Sequence, residues 1–129
     1  MKLYGRKIYP GKAEAEALVT QMGISFFGGV DPETGTIVER GHELYGQSVS
    51  GRVLIFPSGK GSTVGSYTLY RLKLSGKAPA AILNADCETI TAVGCIIAEI
   101  PCLDQLAINQ FHTGQRLRVN ADQQFVEIL

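Results

Sequence analysis

Apolar and polar residues alternate near both ends of the chain, and apolar residues bunch into continuous runs in its middle. Residues 3–8 alternate until Pro10-Gly11, and residues 12–20 set Ala13, Ala15, Ala17 and Val19 against Lys12, Glu14 and Glu16. A period of two predicts a strand in each. In the second, alternation outweighs the helix preference of Ala and Glu. A short strand is predicted at 36–38, and Arg-Val-Leu-Ile-Phe at 52–56 reads as a buried strand. Residues 64–74 then place Leu69, Leu72 and either Tyr70 or Leu74 at helical spacing, with Arg71 and Lys73 near the end. Gly76 and Pro79 follow as stop signals. Residues 80–83 predict another buried strand. Asn84-Ala85-Asp86 can cap a helical turn over 88–93 that Gly94 stops, and 95–100 read as an apolar strand closed by Pro101. Residues 115–119 and 124–129 predict strands around the turn Asn120-Ala121-Asp122, with Arg116 and Arg118 facing solvent. Strands interleaved with short helices predict an α/β domain with a mixed or parallel sheet. No repeat, linker or low-complexity segment divides residues 1–129, which read as a single domain.

Composition narrows the function classes. At 129 residues, with 45% hydrophobic and 19% charged residues, the chain is globular. A domain of that length buries roughly two-thirds of its unfolded surface. Twelve Lys and Arg balance twelve Asp and Glu, and no basic stripe points to nucleic acid. No apolar run approaches the ~20 residues of a membrane span, and the first residues lack the apolar core of a signal peptide. These features predict a cytoplasmic protein. Cys87, Cys95 and Cys102, spaced by eight and seven residues, match no common zinc or ferredoxin pattern. They read as buried free thiols. Gathered in space, three thiolates could hold an iron–sulfur cluster.

The candidate chemistry sits in Pro57-Ser58-Gly59-Lys60-Gly61-Ser62-Thr63, between a predicted strand and a predicted helix. Its glycines let a ligand approach the backbone, and free N–H groups at a helix start favour an anion. Ser62 or Thr63 is a natural N-cap. The loop is not a Walker motif, because Gly61 rather than Ser or Thr follows Lys60. The order Gly59-x-Gly61-x-x-x-Gly65 departs from the dinucleotide fingerprint and lacks its ribose-binding acid. No Gly-x-Ser-x-Gly elbow is present. Two readings remain: a capping loop with Lys60 in solvent, or an anion site that presents a hydroxyl. A serine is a poor base in water, and becomes useful where amides and a cation stabilise its anion. A second stretch, Phe26-Phe27-Gly28-Gly29 before Asp31-Pro32 and Thr34-Gly35, is either an aromatic-anchored turn or another wall of the same site. His42, among Glu39, Arg40 and Glu43, reads as a solvated loop residue. With His112 it completes the histidines, and no His–carboxylate constellation is evident. Half a site, completed by a partner, fits better than a whole one.

Ser25-Phe26-Phe27-Gly28-Gly29-Val30-Asp31, Thr34-Gly35, Gly46, Gly59-Lys60-Gly61-Ser62-Thr63 and Ala78-Pro79-Ala80-Ala81-Ile82, in that order, resemble the swivel domain of the aconitase X family. The likeness spans about 11–100, and the length suits the type with a separate small subunit. The resemblance implies a swivelling β/β/α domain with a mixed, barrel-like sheet and a few short helices. It implies a heterodimer with a large catalytic subunit carrying a 4Fe–4S cluster, a Lewis acid toward the substrate hydroxyl. On this chain it implies Ser62 as proton acceptor, with Lys60, Gly61, Thr63, Gly28 and Gly29 around the substrate and no metal ligand. Phe27 stands where many relatives carry tryptophan. The implied reaction removes water from (R)-5-phosphomevalonate, giving trans-anhydromevalonate 5-phosphate, on an archaeal mevalonate route to isoprenoids. Dehydration of cis-3-hydroxy-L-proline is an alternative within the family. A non-catalytic anion-binding module is another, and a stand-alone serine enzyme lacks a paired base.

Overall fold

The computed structural model describes residues 1–129. Its centre is four parallel neighbours: β3 (Lys12–Val19), β4 (Val53–Phe56), β5 (Ala81–Asn84) and β6 (Cys102–Asp104). β4 and β5 are buried at every position, which is why both are unbroken apolar runs. Antiparallel strands flank this core. β7 (Arg116–Asn120) pairs with β3, β8 (Phe125–Ile128) with β7, β1 (Lys2–Tyr4) with β8, and β2 (Arg6–Tyr9) with β6. The order is β1-β8-β7-β3-β4-β5-β6-β2. The outermost strands β1 and β2 are joined by Gly5 alone, so the sheet curls until its edges meet there. The Gly5 N–H donates to the Gln124 carbonyl at 3.0 Å, and a Cβ on Gly5 would press on the Asp104 carbonyl oxygen. The expected barrel-like mixed sheet is present.

Alternation sorts the core into two layers. Val53, Ile55, Leu83, Leu103, Leu117 and Val119 fill the inside of the curl with Phe111. Leu54, Phe56 and Ile82 face outward, beneath Leu69 and Leu72 of α2 (Gly65–Leu74) and Cys95 of α3 (Thr89–Ala98). Segment 24–49 covers the rest of that face through Ile24, Phe26, Val30, Ile37, Leu44 and Val49. It contains one interrupted helical turn, α1 (Phe26–Gly29), and a 3-10 turn (Ile108–Gln110) precedes β7. No helix is long and apolar enough to cross a membrane.

Four local expectations are corrected. Gly94 does not stop a helix and 95–100 is not a strand: α3 runs through both, and the strand is β6, after Pro101. Gly94 is buried where α3 meets α2, and a Cβ there would collide with Leu69. The α3 cap is Glu88, accepting from Ile90 N and Thr91 N at 2.7 Å each, rather than Asn84 or Asp86. Residues 36–38 form only isolated bridges, Thr36 to Ser48 and Val30 to Ile37. His42 is buried at 4% exposure. Its Nδ1 accepts from Leu44 N at 3.1 Å, so Nε2 carries the proton and donates to the Gly23 carbonyl at 3.1 Å. As expected, Arg116 and Arg118 face solvent, where they pair with Glu14.

Asp104 ties β6 to β2. Its fully buried carboxylate accepts from Arg6 Nε at 2.9 Å and Nη2 at 2.7 Å, and from Cys87 N at 2.9 Å. Burial alone would raise its pKa, but these donors outweigh burial and hold it below the usual carboxylate range. The folded state therefore binds this proton less tightly than the unfolded chain. The resulting stability is full above the unfolded value, roughly pH 4, and is lost as pH falls through the depressed folded value. Asp104→Asn should be less stable than the parent at pH 7, with the gap narrowing below about pH 4, read from denaturant midpoints. Gly94→Val should cost about 2 kcal/mol by overpacking the α2–α3 contact, read from the same midpoints.

Candidate functional site

The loops after β3 and β4 leave the same edge of the sheet and stay together. Ile24 and Gly59 form a parallel bridge beyond the strands, and Lys60 N donates to the Ile24 carbonyl at 2.9 Å. Phe26 is buried edge-on against Phe56 of β4, with centroids 5.8 Å apart. The loop 57–63 is therefore clamped at its base. Gly59 lies against the Glu88 carboxylate and Thr91 hydroxyl, leaving no room for a side chain. Those two groups are fixed in turn by the α3 cap. Gly61 has φ +94° and passes directly over the Ser25 hydroxyl. Only glycine meets both demands without strain.

Ser62 is exposed, and its Oγ accepts from Val64 N at 3.1 Å. That is its only side-chain bond on this chain; no histidine or carboxylate touches it. The helix start differs from expectation. α2 begins at Gly65 with Val64 at the capping position and no side-chain cap. Gly65 N donates to the Ser62 carbonyl at 2.9 Å, and Tyr67 N to the Val64 carbonyl at 3.0 Å. The first helical N–H groups are thus already taken. The free donors lie one step earlier: the N–H groups of Gly61, Ser62 and Thr63 have no partner within the chain. Consecutive exposed amides of this kind make an anion-binding concavity.

Lys60 reaches across to the neighbouring loop. Its Nζ lies 3.0 Å from Glu39 Oε2, and its side chain is half exposed. The same carboxylate rests on Gly29, with Oε1 3.3 Å from where a Cβ on Gly29 would stand. Glu39 therefore bridges the two loops, and Gly29 makes room for it. Gly28 has φ +82° and faces open space, beside exposed Phe27. Ser62, Lys60, Gly61, Thr63 and Gly29 are brought into one neighbourhood, while Gly28 turns toward open space. Glu39 and Ser25 are the residues the sequence reading missed. Glu39 lies far from Lys60 in sequence and has no motif around it; Ser25 was legible only as part of an aromatic-glycine stretch.

The three cysteines are free and adjoin one another, with Cys95 and Cys102 buried and Cys87 half-buried. The Cys102 neighbour and burial push the Cys87 thiol up. Cys87 draws Cys102 down, but Cys95 and burial outweigh it and raise that thiol as well. Thiolates are what bind iron, and no group of three or more His, Cys, Asp or Glu is arranged to hold a metal ion. The residues on this chain do not fit an iron–sulfur cluster.

The Aconitase X swivel domain family matches residues 2–128. The chain is 53% identical over 129 residues to the phosphomevalonate dehydratase small subunit of Thermococcus gammatolerans, covering 100% of this chain and 98% of that one. It is 52% identical over 132 residues to the protein of that name from Archaeoglobus fulgidus, covering 100% and 99%. Among solved structures, the crystal structure of Thermococcus kodakaraensis aconitase X in its holo form superposes with TM-score 0.98 at 51% identity, covering 100% of this chain and 98% of that one. A family match over nearly every residue, together with full-length relatives at about half identity and a solved structure of the same fold, shows that the chain belongs to the aconitase X family and is its swivel domain.

Proposed function

We propose that this chain is the small subunit of a cytoplasmic phosphomevalonate dehydratase, a hydro-lyase that works only with a large subunit. Its full-length relatives carry that name at about half identity, which favours it over cis-3-hydroxy-L-proline dehydratase and over a non-catalytic module. Three free cysteines suit a reducing compartment. The aconitase relationship supports an iron–sulfur cluster on the large subunit, which when bound supplies Lewis-acid chemistry at the substrate hydroxyl.

This chain contributes the base. Ser62 Oγ, as its alkoxide, takes the proton from the carbon beside the substrate carboxylate, the C–H electron pair becomes the new double bond, the neighbouring C–O bond breaks with its pair on oxygen as hydroxide, and the proton passed on from Ser62 converts that hydroxide to water and restores the alkoxide. The observation that carries the role is an exposed hydroxyl that already accepts one backbone N–H and stands beside three unpartnered amides. N–H donors lower the cost of charge on that oxygen and hold an anionic group of the substrate. Lys60 is assigned to the substrate rather than to Ser62: its half-exposed ammonium is held by Glu39 at 3.0 Å and makes no bond to the Ser62 hydroxyl. Gly61 and Thr63 shape the amide cradle, Gly29 seats Glu39, and Gly28 with Phe27 forms the outer lip.

In the assembled enzyme, Ser62→Ala should lower kcat by about 10²- to 10⁴-fold with an unchanged melting temperature and intact subunit association. Turnover within about tenfold of the parent would reject the role. Lys60→Met should raise KM for (R)-5-phosphomevalonate roughly tenfold or more, by loss of one charge-assisted contact, with kcat nearly unchanged in steady-state assays. Glu39→Gln, which releases the ammonium, should leave kcat nearly unchanged and make KM more sensitive to salt.

A further inference from the structure

α3 has no charged residue from Thr89 to Ala98. Its inner side, Thr91, Gly94, Cys95 and Ala98, is buried in the fold. Its outer side is equally apolar, yet Val93, Ile96 and Ile97 are 42%, 50% and 41% exposed. A helix apolar all round belongs in an interior. Beside it, Tyr67 of α2 is 66% exposed. Between the two helices runs a groove of about 350 Å³ with no charged residue in its lining. Thr63, next to Ser62, and Ile97, in the last turn of α3, are both among its lining residues.

We infer that this α2–α3 groove is where the large subunit seats, offering an uncharged apolar surface to Tyr67, Val93 and Ile97. The inference rests on the reading of Ser62 as half of a catalytic site. A subunit bringing the remaining groups to the Ser62 hydroxyl must cover residues 60–64, and Thr63 of that loop is itself part of the uncharged lining of the groove. A second copy of this chain seated on the same groove would lie over Thr63 and obstruct Ser62. The groove and the site thus call for one occupant. Tyr67 has the size and rigidity of an interface anchor.

The test uses the chain co-expressed with its large subunit. Val93→Asp and Ile97→Lys place opposite charges in the groove at exposed positions, so each isolated variant should melt with the parent. Subunit dissociation constants by calorimetry should weaken about 100-fold or more for both variants, and saturating large subunit should restore turnover. Ser62→Ala should assemble with parental affinity. Unchanged affinity in the two groove variants would overturn the inference. So would a parental homodimer, seen by light scattering, that the groove variants dissociate while large-subunit affinity stays the same. Normal turnover by Ser62→Ala with weakened assembly of the groove variants would remove the serine role and leave the docking surface standing.

Discussion

The parallel pairing of β3 with β4 does not end where the strands do. The Ile24–Gly59 bridge and the Lys60 N–H to Ile24 carbonyl bond carry the register into the loops. Phe26 against Phe56 locks that extension to the core. Everything at the site follows from this constraint. Open parallel sheets gather their ligand-binding loops at the carboxyl ends of the strands, and here the pairing also fixes the separation of two such loops. Gly61 can cross Ser25 and Glu39 can span from Gly29 to Lys60 only because the loop bases are held in register.

The same edge receives the start of both long helices. Glu88 caps α3 with both carboxylate oxygens, and Gly59 lies directly on that cap. Ser66 of α2 donates to the Ile90 carbonyl of α3 at 2.9 Å. A displacement of either helix start would therefore move the loop that carries Ser62. The tight α2–α3 crossing at Gly94 has a functional consequence as well as a packing one, since it fixes the shape of the groove that Thr63 helps to line.

Much of this was legible in the residues. β3, β4, β5, β7, β8 and α2 follow from alternation, buried apolar runs and helical spacing, and each depends mainly on local pattern. The loop 57–63 stood out because its glycines permit close backbone approach and its hydroxyls and lysine lie between a predicted strand and a predicted helix, although a plain capping loop fits the same residues. α3 and β6 were not legible. An apolar helix followed at once by a buried strand reads as one apolar stretch, and periodicity cannot divide it. The dividing features are tertiary or conformational: Leu69 against Gly94, and Glu99 in the left-handed region at φ 56°. His42 and Glu39 escaped for a related reason. Their partners, Gly23 and Lys60, are distant in sequence, and tertiary folding rather than local pattern brings them together.

The electrostatics of the loop bear on why the proposed site would be divided between subunits. On this chain alone the cradle is weak: Lys60 is neutralised by Glu39, and the three free amides face water. In water such donors give little net stabilisation to an anion, because solvent competes for both partners. Beneath a second subunit the effective dielectric falls, and the same fixed amides act far more strongly on charge at Ser62 or on the substrate. Amides suit this purpose better than a lone cation, since they keep their dipoles when covered and impose no buried charge on the empty site. The uncharged groove beside them, if covered by the partner as inferred, would exclude water from the edge of the same contact. On the proposed reading, docking and base strength become one physical event, in which the serine would gain its reactivity only when the partner is in place.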